Sequence, residues 1–312
     1  YPINGCTEDY KKAAEWAGKV VATNQHRLNP DLYAMWKCMA TDKYDTEYNE
    51  SMWEVEFIGN REGDGQGIYT DGRIGNVIGN LQKCTANPGK GYSYAFYAPT
   101  LILWDLYSAA DKRRDVYIAP YQINNKDVEV AWKDNQIVQR SCGKFRREWE
   151  TSSMKHKNYT PENYPVLRYS DVLLMQAEAE NEANNGPTDK AYKAINTVRE
   201  RAGLEALKNL DYTTFQQEVR DERARELCFE SLRKYDLVRW GIYVDAIHNK
   251  LGAATATKRW APGNNFLGAA AYANNTTDKH QFLPIPSREL SVNTKLEQNS
   301  LSIYNRLLLN IL

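Results

Sequence analysis

The sequence predicts a mainly α-helical protein, built on tetratricopeptide-type helical hairpins with long irregular loops and minor β-structure. Three observations lead to this fold class. Residues 164–203 show helical periodicity with start and stop signals, and residues 211–240 form a long charged helical pattern. Alternation typical of strands is confined to about residues 52–58 and 115–142.

Residues 164–203 are predicted to form two helices joined by a breaker. Asp171 or Ser170 can cap the first helix through a side-chain oxygen. Gly186, followed by proline, ends that helix, and Thr188 caps the next one. Gly203 supplies a left-handed stop at the far end.

Small side chains dominate the facing surfaces of this hairpin, which lets two helix axes approach closely. Periodicity alone is compatible with any antiparallel helix pair, whereas close packing is typical of tetratricopeptide-type hairpins. The small residues are Ala177, Ala179, Ala183, Ala191 and Ala194.

The N-terminal third of the chain mixes one helix, one strand and a glycine-rich segment. Residues 7–23 have a threonine cap and one apolar face, and they resemble the second helix of a hairpin. Residues 52–58 alternate as a strand, and residues 59–79 are expected to be irregular. Glycines 63, 65 and 67 follow the strand, but no helix follows them, so a phosphate-binding loop is disfavoured.

The middle of the chain is predicted to contain a helix and then strands. Residues 99–114 begin with a proline suited to the first helical turn. Residues 115–142 contain the stretches VYIA, VEVAW and QIVQR, which predict two or three strands. Residues 145–164 are expected to be a polar loop that starts with a strand.

The C-terminal third begins with a helix over residues 211–240, which we expect to break near Ser231. Residues 252–278 are rich in Gly, Ala, Asn and Thr and are predicted to be a long loop, which in a compact domain is usually functional. Two prolines give residues 283–290 an extended path. The apolar ending over residues 302–312 has no explanation in the sequence.

Four sequence blocks in this part of the chain are distinctive when they are taken together and in order. They are LRYSDVLLMQAEAENE, INTVRERAGL, RDERARELCFESLRKYDLVRWG and LPIPSREL.

These blocks closely resemble the SusD/RagB family of outer-membrane nutrient-binding lipoproteins of Bacteroidetes. The resemblance implies a SusD-like fold, with residues 1–312 as one domain whose N-terminal helical part is absent and a helical scaffold at about 165–245. It implies binding of an oligosaccharide or other nutrient at the cell surface without catalysis. It further implies delivery to a SusC-like TonB-dependent transporter and attachment to the outer membrane through an N-terminal lipid anchor, which this chain does not contain.

Composition excludes several other classes of function. The 40 Lys and Arg residues balance the 40 Asp and Glu residues, which argues against nucleic-acid binding. The five cysteines form no C-x-x-C pair and the four histidines are scattered, so we expect no metal, no cofactor and mostly buried free thiols. No apolar run reaches membrane-spanning length.

The charged run over residues 220–239 could suggest catalysis, because Glu222, Glu226 and Glu230 recur every four residues. Helical di-metal sites usually pair such glutamates with histidine, which is missing here. We therefore interpret the run as scaffold, with arginines nearby as ion-pair partners. A helical-toroid glycoside hydrolase remains an alternative, because the two catalytic carboxyl groups of such an enzyme are defined by their distance in space and not by their spacing in the sequence. A tetratricopeptide-type adaptor for protein partners is a third class, disfavoured because the hairpin does not repeat.

A saccharide site needs aromatic rings for the apolar face of a sugar and polar groups for its hydroxyls. Tyr92, Tyr94 and Tyr97 lie in a glycine-flanked loop beside Lys90 and Ser93. We predict that residues 90–98 contribute stacking to a shallow site, because one turn cannot bury so many rings.

Three further aromatic residues are candidates for the same role. Tyr69 lies in the glycine-rich segment, and Trp260 and Phe266 flank a Pro-Gly-Asn-Asn sequence. Each of these residues could equally be a packed loop anchor. Ligand contacts in the SusD/RagB family lie in variable loops, so none of the six residues is assigned by a family motif.

Overall fold

The computed structural model describes residues 7–60, 71–86, 89–256 and 264–299, the last range without the side chains of residues 264–267. The described residues form two compact units, one within residues 7–233 and one within residues 234–299. Whether residues 1–312 act as a single domain stays a prediction. No helix among the described residues is both long and apolar enough to cross a membrane.

Helices predominate in the first unit. In chain order they are α1 (Thr7–Ala22), α2 (Ala34–Ala40), α3 (Ile74–Val77), α4 (Leu101–Leu106), α5 (Arg114–Tyr117), α6 (Tyr169–Asn184), α7 (Asp189–Arg201) and α8 (Tyr212–Glu226). The strands are β1 (Ser51–Val55), β2 (Gln82–Lys83), β3 (Tyr92–Ser93), β4 (Tyr121–Ile123), β5 (Glu129–Ala131) and β6 (Tyr164–Arg168).

The predicted hairpin is confirmed as α6 and α7, which pack on α1 and α8 around one apolar core. The Thr188 hydroxyl caps α7 by accepting a hydrogen bond from the Ala191 amide. Gly203 adopts a φ of 81° as predicted, but α6 ends through a left-handed Asn185 rather than at Gly186. The buried small residues at the helix contacts are Ala177, Ala179, Ala191 and Ala194.

The predicted cap of α6 is wrong. The helix begins at Tyr169, directly after β6, so Ser170 and Asp171 lie inside its first turn. Both side chains are buried and serve other partners. The Ser170 hydroxyl accepts a hydrogen bond from Arg168, and the Asp171 carboxylate pairs with Arg223 at 2.7 Å. These two side chains therefore bind arginine side chains and do not cap the first turn of α6.

Two small sheets complete the first unit. Strand β1 pairs antiparallel with β6, which confirms a strand within residues 52–58. The other sheet has the order β3-β2-β4-β5, so β3 lies at its edge. Among the described elements, residues 115–142 contain two strands, β4 and β5. The stretch VYIA begins in α5, and the third predicted stretch contains a 3₁₀ turn at Ile137–Gln139. The strand expected at residue 145 is absent, and a 3₁₀ turn follows at Arg147–Trp149.

The helix predicted over residues 99–114 is split into α4 and α5. Thr100 caps α4 by accepting a hydrogen bond from the Leu103 amide, and the chain becomes extended at Tyr107. The Tyr107 hydroxyl donates to the Arg225 carbonyl at 2.6 Å. The turn that follows directs Arg113 into the protein interior, where its side chain is fully buried. The ion pairs made there account for the interruption of the helix.

A buried ionic cluster forms around the last turn of α8. The Glu226 carboxylate accepts hydrogen bonds from Arg113 at 3.0 Å, from Arg168 at 2.7 Å and from Arg201. Glu222 also pairs with Arg113, at 2.5 Å. The exposed fractions of these side chains are between 0% and 6%, so solvent does not screen the pairs.

The predicted scaffold role of the charged run agrees with this geometry, but the partners differ from those expected. Arg225 is a local partner of Glu222 at 2.6 Å. The other partners of the glutamates come from distant segments, such as Lys144, which pairs with Glu230 at 2.5 Å. Burial alone would raise the pKa of Glu226, but the charges of its arginine partners hold that pKa well below its usual range.

The second unit is also helical. α8 ends at Glu226 and the next helix begins at Arg233, so the long charged helix is interrupted near the left-handed Ser231, with φ 61°, as predicted. The elements of the second unit are α9 (Arg233–Arg239), a π-helical segment (Asp245–Leu251), α10 (Gly252–Ala256), α11 (Asn264–Asn275), a 3₁₀ turn (Asp278–Gln281) and α12 (Ser287–Val292).

The long loop predicted for residues 252–278 is therefore wrong where the structure describes it, since α10 and α11 occupy much of that range. The alanines that made the segment look loop-like are strong helix formers. Leu237, Val238 and Tyr243 form the core of this unit, and the Tyr243 and Tyr272 hydroxyls lie 2.5 Å apart. The apolar ending over residues 302–312 lies outside the described residues.

The four cysteines within the described residues are free, as predicted. Cys84, Cys142 and Cys228 are buried, and Cys38 is half-buried. Cys6 lies outside the described part of the chain.

We predict that Glu226→Ala lowers the free energy of unfolding by about 3–5 kcal/mol, because it leaves buried arginines without a counter-charge. Glu218→Ala on the same helix is the matched control. Its carboxylate is 35% exposed and lies 3.6 Å from Arg199, so its loss should cost about 1 kcal/mol or less. Urea unfolding of both variants measures the difference, and equal destabilisation would contradict a central role for Glu226.

Candidate functional site

Three aromatic rings contact one another in a row that begins at β3. Side chains alternate along the strand, so Ser93 is buried while Tyr92 and Tyr94 lie on the other side. Ala95 then takes a left-handed φ of 51°, and Phe96 continues the row through its contact with Tyr94. The Tyr92 and Tyr94 rings meet edge to face with centroids 5.0 Å apart. The Tyr94 and Phe96 rings are stacked at 5.2 Å with an interplanar angle of 5°. We call Tyr92, Tyr94 and Phe96 the aromatic ladder.

The ladder is open to solvent at one end. Phe96 is 66% exposed, and Tyr97, the next residue, is 46% exposed. Tyr92 and Tyr94 are half-buried. The expectation that at least one ring between residues 92 and 97 faces solvent is confirmed, and Phe96 is the most accessible of these rings.

Backbone hydrogen bonds hold the ladder on both sides. On one side, Ser93 pairs with Gln82 of β2. On the other side, the Tyr94 and Phe96 amides donate to the Asn76 and Val77 carbonyls of α3, at 2.8 and 2.9 Å. The rings therefore stand on a fixed backbone, although the sequence suggested a loop.

Two buried side chains tie the ladder to the segment around Lys157. The Asn76 amide donates to the Tyr92 and Lys157 carbonyls at 3.3 and 2.8 Å. The Arg147 guanidinium donates to the same two carbonyls at 2.9 and 3.4 Å. We call Asn76 and Arg147 the clamp. Gly91 has a φ of 96°, and a Cβ there would lie 3.3 Å from the Arg147 guanidinium, so glycine is required.

Polar and cationic groups surround the ladder. The Asn158 side-chain oxygen lies 3.5 Å from the Tyr94 hydroxyl. The Lys157 ammonium lies over the Tyr92 ring, 4.8 Å from its centroid. The Lys155 ammonium donates to the Gly89 carbonyl at 3.1 Å. An apolar ring face flanked by donors and acceptors is suited to a ligand with both kinds of surface.

A buried carboxyl group lies against α3, the helix whose carbonyls accept hydrogen bonds from the ladder backbone. A Cβ on Gly75, in α3, would lie 2.2 Å from a carboxylate oxygen of Glu162. Burial, and next the charge of Glu150, raise the pKa of Glu162 to about 8, although Arg147 opposes this shift. Glu162 is therefore largely protonated at neutral pH.

We predict that Glu162 makes the stability of the protein depend on pH. Below about pH 4.5 the carboxyl group is protonated in both the folded and the unfolded state. As the pH rises from there to about 8, the unfolded state releases the proton and the folded state retains it. Stability contributed by this group should therefore fall by about 1.4 kcal/mol per pH unit over that range.

The isosteric variant Glu162→Gln tests this prediction, because it removes the titration and keeps the shape. Unfolding free energies of both proteins, measured from pH 4 to pH 9, should converge at low pH and separate in favour of the variant as the pH rises. Parallel curves would show that Glu162 has an ordinary pKa.

The role of the other three predicted site residues stays a prediction. Tyr69 and Trp260 lie outside the described residues, as does the side chain of Phe266, whose backbone lies in α11. Phe96 was omitted from the predicted site. The spacing of aromatic residues at 92, 94 and 96 was the available signal, because it indicates one face of an extended segment.

Two cavities lie elsewhere in the first unit. A groove of about 790 Å³ between α1, α6 and α7 has one aromatic residue in its lining, Tyr169, which is buried. A pocket of about 350 Å³ beside β1 is lined by two aromatic residues, Tyr44 and Trp53, which are exposed. The ladder differs from both cavities because its rings contact one another in a row and the clamp holds its backbone. Within the described residues, no group of three His, Cys, Asp or Glu side chains could hold a metal ion.

The helical hairpin and the charged helix, which arginines link, define a class of protein. Comparison with known families identifies this class. The profile described as the SusD family matches residues 124–302, which is more than half of the chain. The chain belongs to the SusD family, and the predicted SusD-like fold is confirmed.

Individual relatives agree with this assignment. The SusD-like protein P25 of Formosa agariphila is 29% identical over 93% of this chain and 58% of its own length. The starch-binding protein SusD of Bacteroides thetaiotaomicron is 24% identical over 61% of this chain and 35% of its own length. This chain thus spans little more than half of the length of P25.

Solved structures show the same fold. A SusD homolog from Bacteroides thetaiotaomicron has a TM-score of 0.75 and 28% identity, over 94% of this chain and 59% of that one. A laminarin-binding SusD-like protein has a TM-score of 0.63 at 23% identity, over 93% of this chain and 58% of that one, and this likeness concerns the fold alone.

Proposed function

We propose that the protein binds an oligosaccharide without catalysis, at a surface formed by the aromatic ladder and Tyr97. The observation that carries the proposal is the exposed Phe96 ring, which is stacked on Tyr94. A sugar ring presents an apolar C–H face that can lie on such a ring. Because Tyr94 already orders Phe96, little side-chain entropy is lost when the sugar binds.

The polar neighbours of the ladder support a sugar rather than a purely apolar ligand. Hydroxyl groups around a sugar ring both donate and accept hydrogen bonds. Asn158 and the Tyr94 hydroxyl offer both functions, and the lysine ammonium groups are donors. Membership of the SusD family also supports this choice, since one relative is named for starch binding.

The absence of catalysis is proposed because the conspicuous carboxylates are not accessible. Glu222, Glu226 and Glu230 are buried and paired with arginine or lysine side chains, so no substrate can reach them. The alternative of a glycoside hydrolase requires a pair of carboxyl groups beside the bound sugar. Incubation of the protein with each bound glycan, followed by assay of reducing ends, tests that alternative directly, and turnover would establish it.

Delivery of the ligand to a SusC-like TonB-dependent transporter at the outer-membrane surface is part of the proposal, as is an N-terminal lipid anchor on the complete protein. Both derive from the resemblance to the SusD/RagB family. A transporter gene beside the gene for this protein, and co-purification of the two products from membranes, would support this part. Recovery of the protein without a transporter partner would count against it.

We predict that Phe96→Ala weakens glycan binding several-fold, since one stacked aromatic contributes about 1 kcal/mol. The matched control is Trp53→Ala, because Trp53 is 65% exposed and lies on β1, which belongs to the other sheet. A glycan array identifies the ligand, and calorimetric titration measures both variants. Thermal melting should show that both variants remain folded.

Tyr94→Ala removes the ring that supports Phe96, and Tyr92→Ala shortens the ladder at its other end. We expect weaker binding in both variants. Wild-type affinity in Phe96→Ala, together with a loss in Trp53→Ala, would move the site to the pocket beside β1.

A further inference from the structure

We propose that the glycan is anionic, and that Lys155 and Lys157 bind its carboxylate or sulfate groups at the Tyr92 end of the ladder. The inference rests on the proposed function, because it names the chemical class of the ligand for the same surface. Its basis is a pair of lysines at one end of the ladder that have no carboxylate partner among the described residues, beside an aromatic ring whose face is already covered.

The Lys157 ammonium excludes a sugar from the face of Tyr92 that it covers. It lies 4.8 Å from the ring centroid, and the edge-to-face contact with Tyr94 occupies another part of the ring. A neutral sugar could stack on that face only after displacing the ammonium, which would cost the cation–π interaction. An anionic group can instead approach the ammonium from solvent, because the Lys157 residue is exposed.

Neither of the two lysines is neutralised within the described part of the chain. The Lys155 ammonium donates to a backbone carbonyl, that of Gly89, and the Lys157 ammonium contacts a ring. Among the described residues, no carboxylate lies within ion-pair distance of either ammonium. Lys90 shows the contrast, because its ammonium lies 3.6 Å from Glu129 and 3.4 Å from the Asp127 carbonyl.

The acidic groups beneath the surface do not cancel this charge. The Glu150 carboxylate is paired with the Arg147 guanidinium at 2.5 Å. Glu162 has a pKa of about 8 and is thus mostly neutral at pH 7. His156 lies between the two lysines in the chain, and its ring packs against Tyr159 at 4.7 Å. Within the part of the chain that the structure describes, this positive charge is therefore not neutralised, and the exposed Lys157 presents it to solvent.

The clamp fixes the backbone from which this charge extends. Asn76 and Arg147 bind the backbone carbonyls of both Tyr92 and Lys157, so the two backbone segments belong to one hydrogen-bonded unit, and the Lys157 ammonium lies over the Tyr92 ring. Such preorganisation favours a ligand whose sugar rings and charges repeat at a fixed spacing. An acidic polysaccharide has that regular arrangement.

The experiment uses a polysaccharide array in matched pairs. The carboxylate arm contains polygalacturonate and alginate with their carboxyl-reduced forms, and the sulfate arm contains carrageenan with its desulfated form. Starch and laminarin are the neutral members. We expect binding to at least one acidic polysaccharide, about tenfold weaker binding to its neutral counterpart, and a loss of affinity as salt rises from about 0.05 to 0.5 M.

Two variants locate the effect. Lys157→Gln should lower affinity for the acidic polysaccharide about fivefold and affinity for the neutral counterpart much less, because the glutamine amide still donates hydrogen bonds to hydroxyl groups. Lys155→Gln should act in the same direction. Lys208→Gln is the matched control, because Lys208 is exposed in the connection between α7 and α8. It makes the same change in net charge and should leave binding unchanged.

The outcomes separate this inference from the proposed function. Equal affinity for the acidic and neutral members of a pair, or binding to neutral polysaccharides alone, overturns the inference and leaves oligosaccharide binding intact. A preference for the acidic member that survives Lys155→Gln and Lys157→Gln overturns the role of these lysines. Binding to no member of the array overturns both proposals.

Discussion

The buried ionic cluster around Glu226 is the constraint on which the first unit depends. Its arginine partners come from the turn before α5, from the end of β6 and from the end of α7, while Glu226 itself ends α8. Charges removed from water are tolerated only when each has a counter-charge and suitable hydrogen bonds. The four segments must therefore meet in one arrangement, and this requirement outweighs local helix propensity where α4 and α5 are separated.

A short stretch of chain connects this cluster to the surface. The Lys144 ammonium binds Glu230 and the Glu226 carbonyl inside the cluster. Three residues later, the Arg147 guanidinium holds the ladder and the Lys157 segment together. Both side chains are fully buried. One loop thus carries both Lys144, which binds the ionic cluster, and Arg147, which holds the ladder. The packing of the core therefore also limits the movement of the ladder.

The sequence predicted features that depend on local chemistry and missed those that depend on distant partners. The Thr188 cap, the left-handed Gly203 and the break near Ser231 follow from residues close to them in the chain. The cap of α6 was misplaced because Asp171 serves Arg223, which lies 52 residues away. The strong helix formers of residues 252–278 were misread as loop. Tyr92 and Tyr94 were predicted as site residues. Phe96 was missed, although aromatic residues at every second position, 92, 94 and 96, indicate neighbouring side chains.

The two ends of the ladder differ in physical character, and this difference bears on how a chain-like ligand would lie. At the Phe96 end an exposed ring offers dispersion and apolar contact, which salt barely affects. At the Tyr92 end the ring is occupied by an ammonium, and attraction there is electrostatic and screened by salt. A glycan bound along the ladder would therefore place a sugar face on Phe96 and an anionic group toward Lys157. The opposite orientation would set an anion against an apolar ring and a sugar face against a cation, so a ligand of the proposed kind would bind in one direction along the ladder.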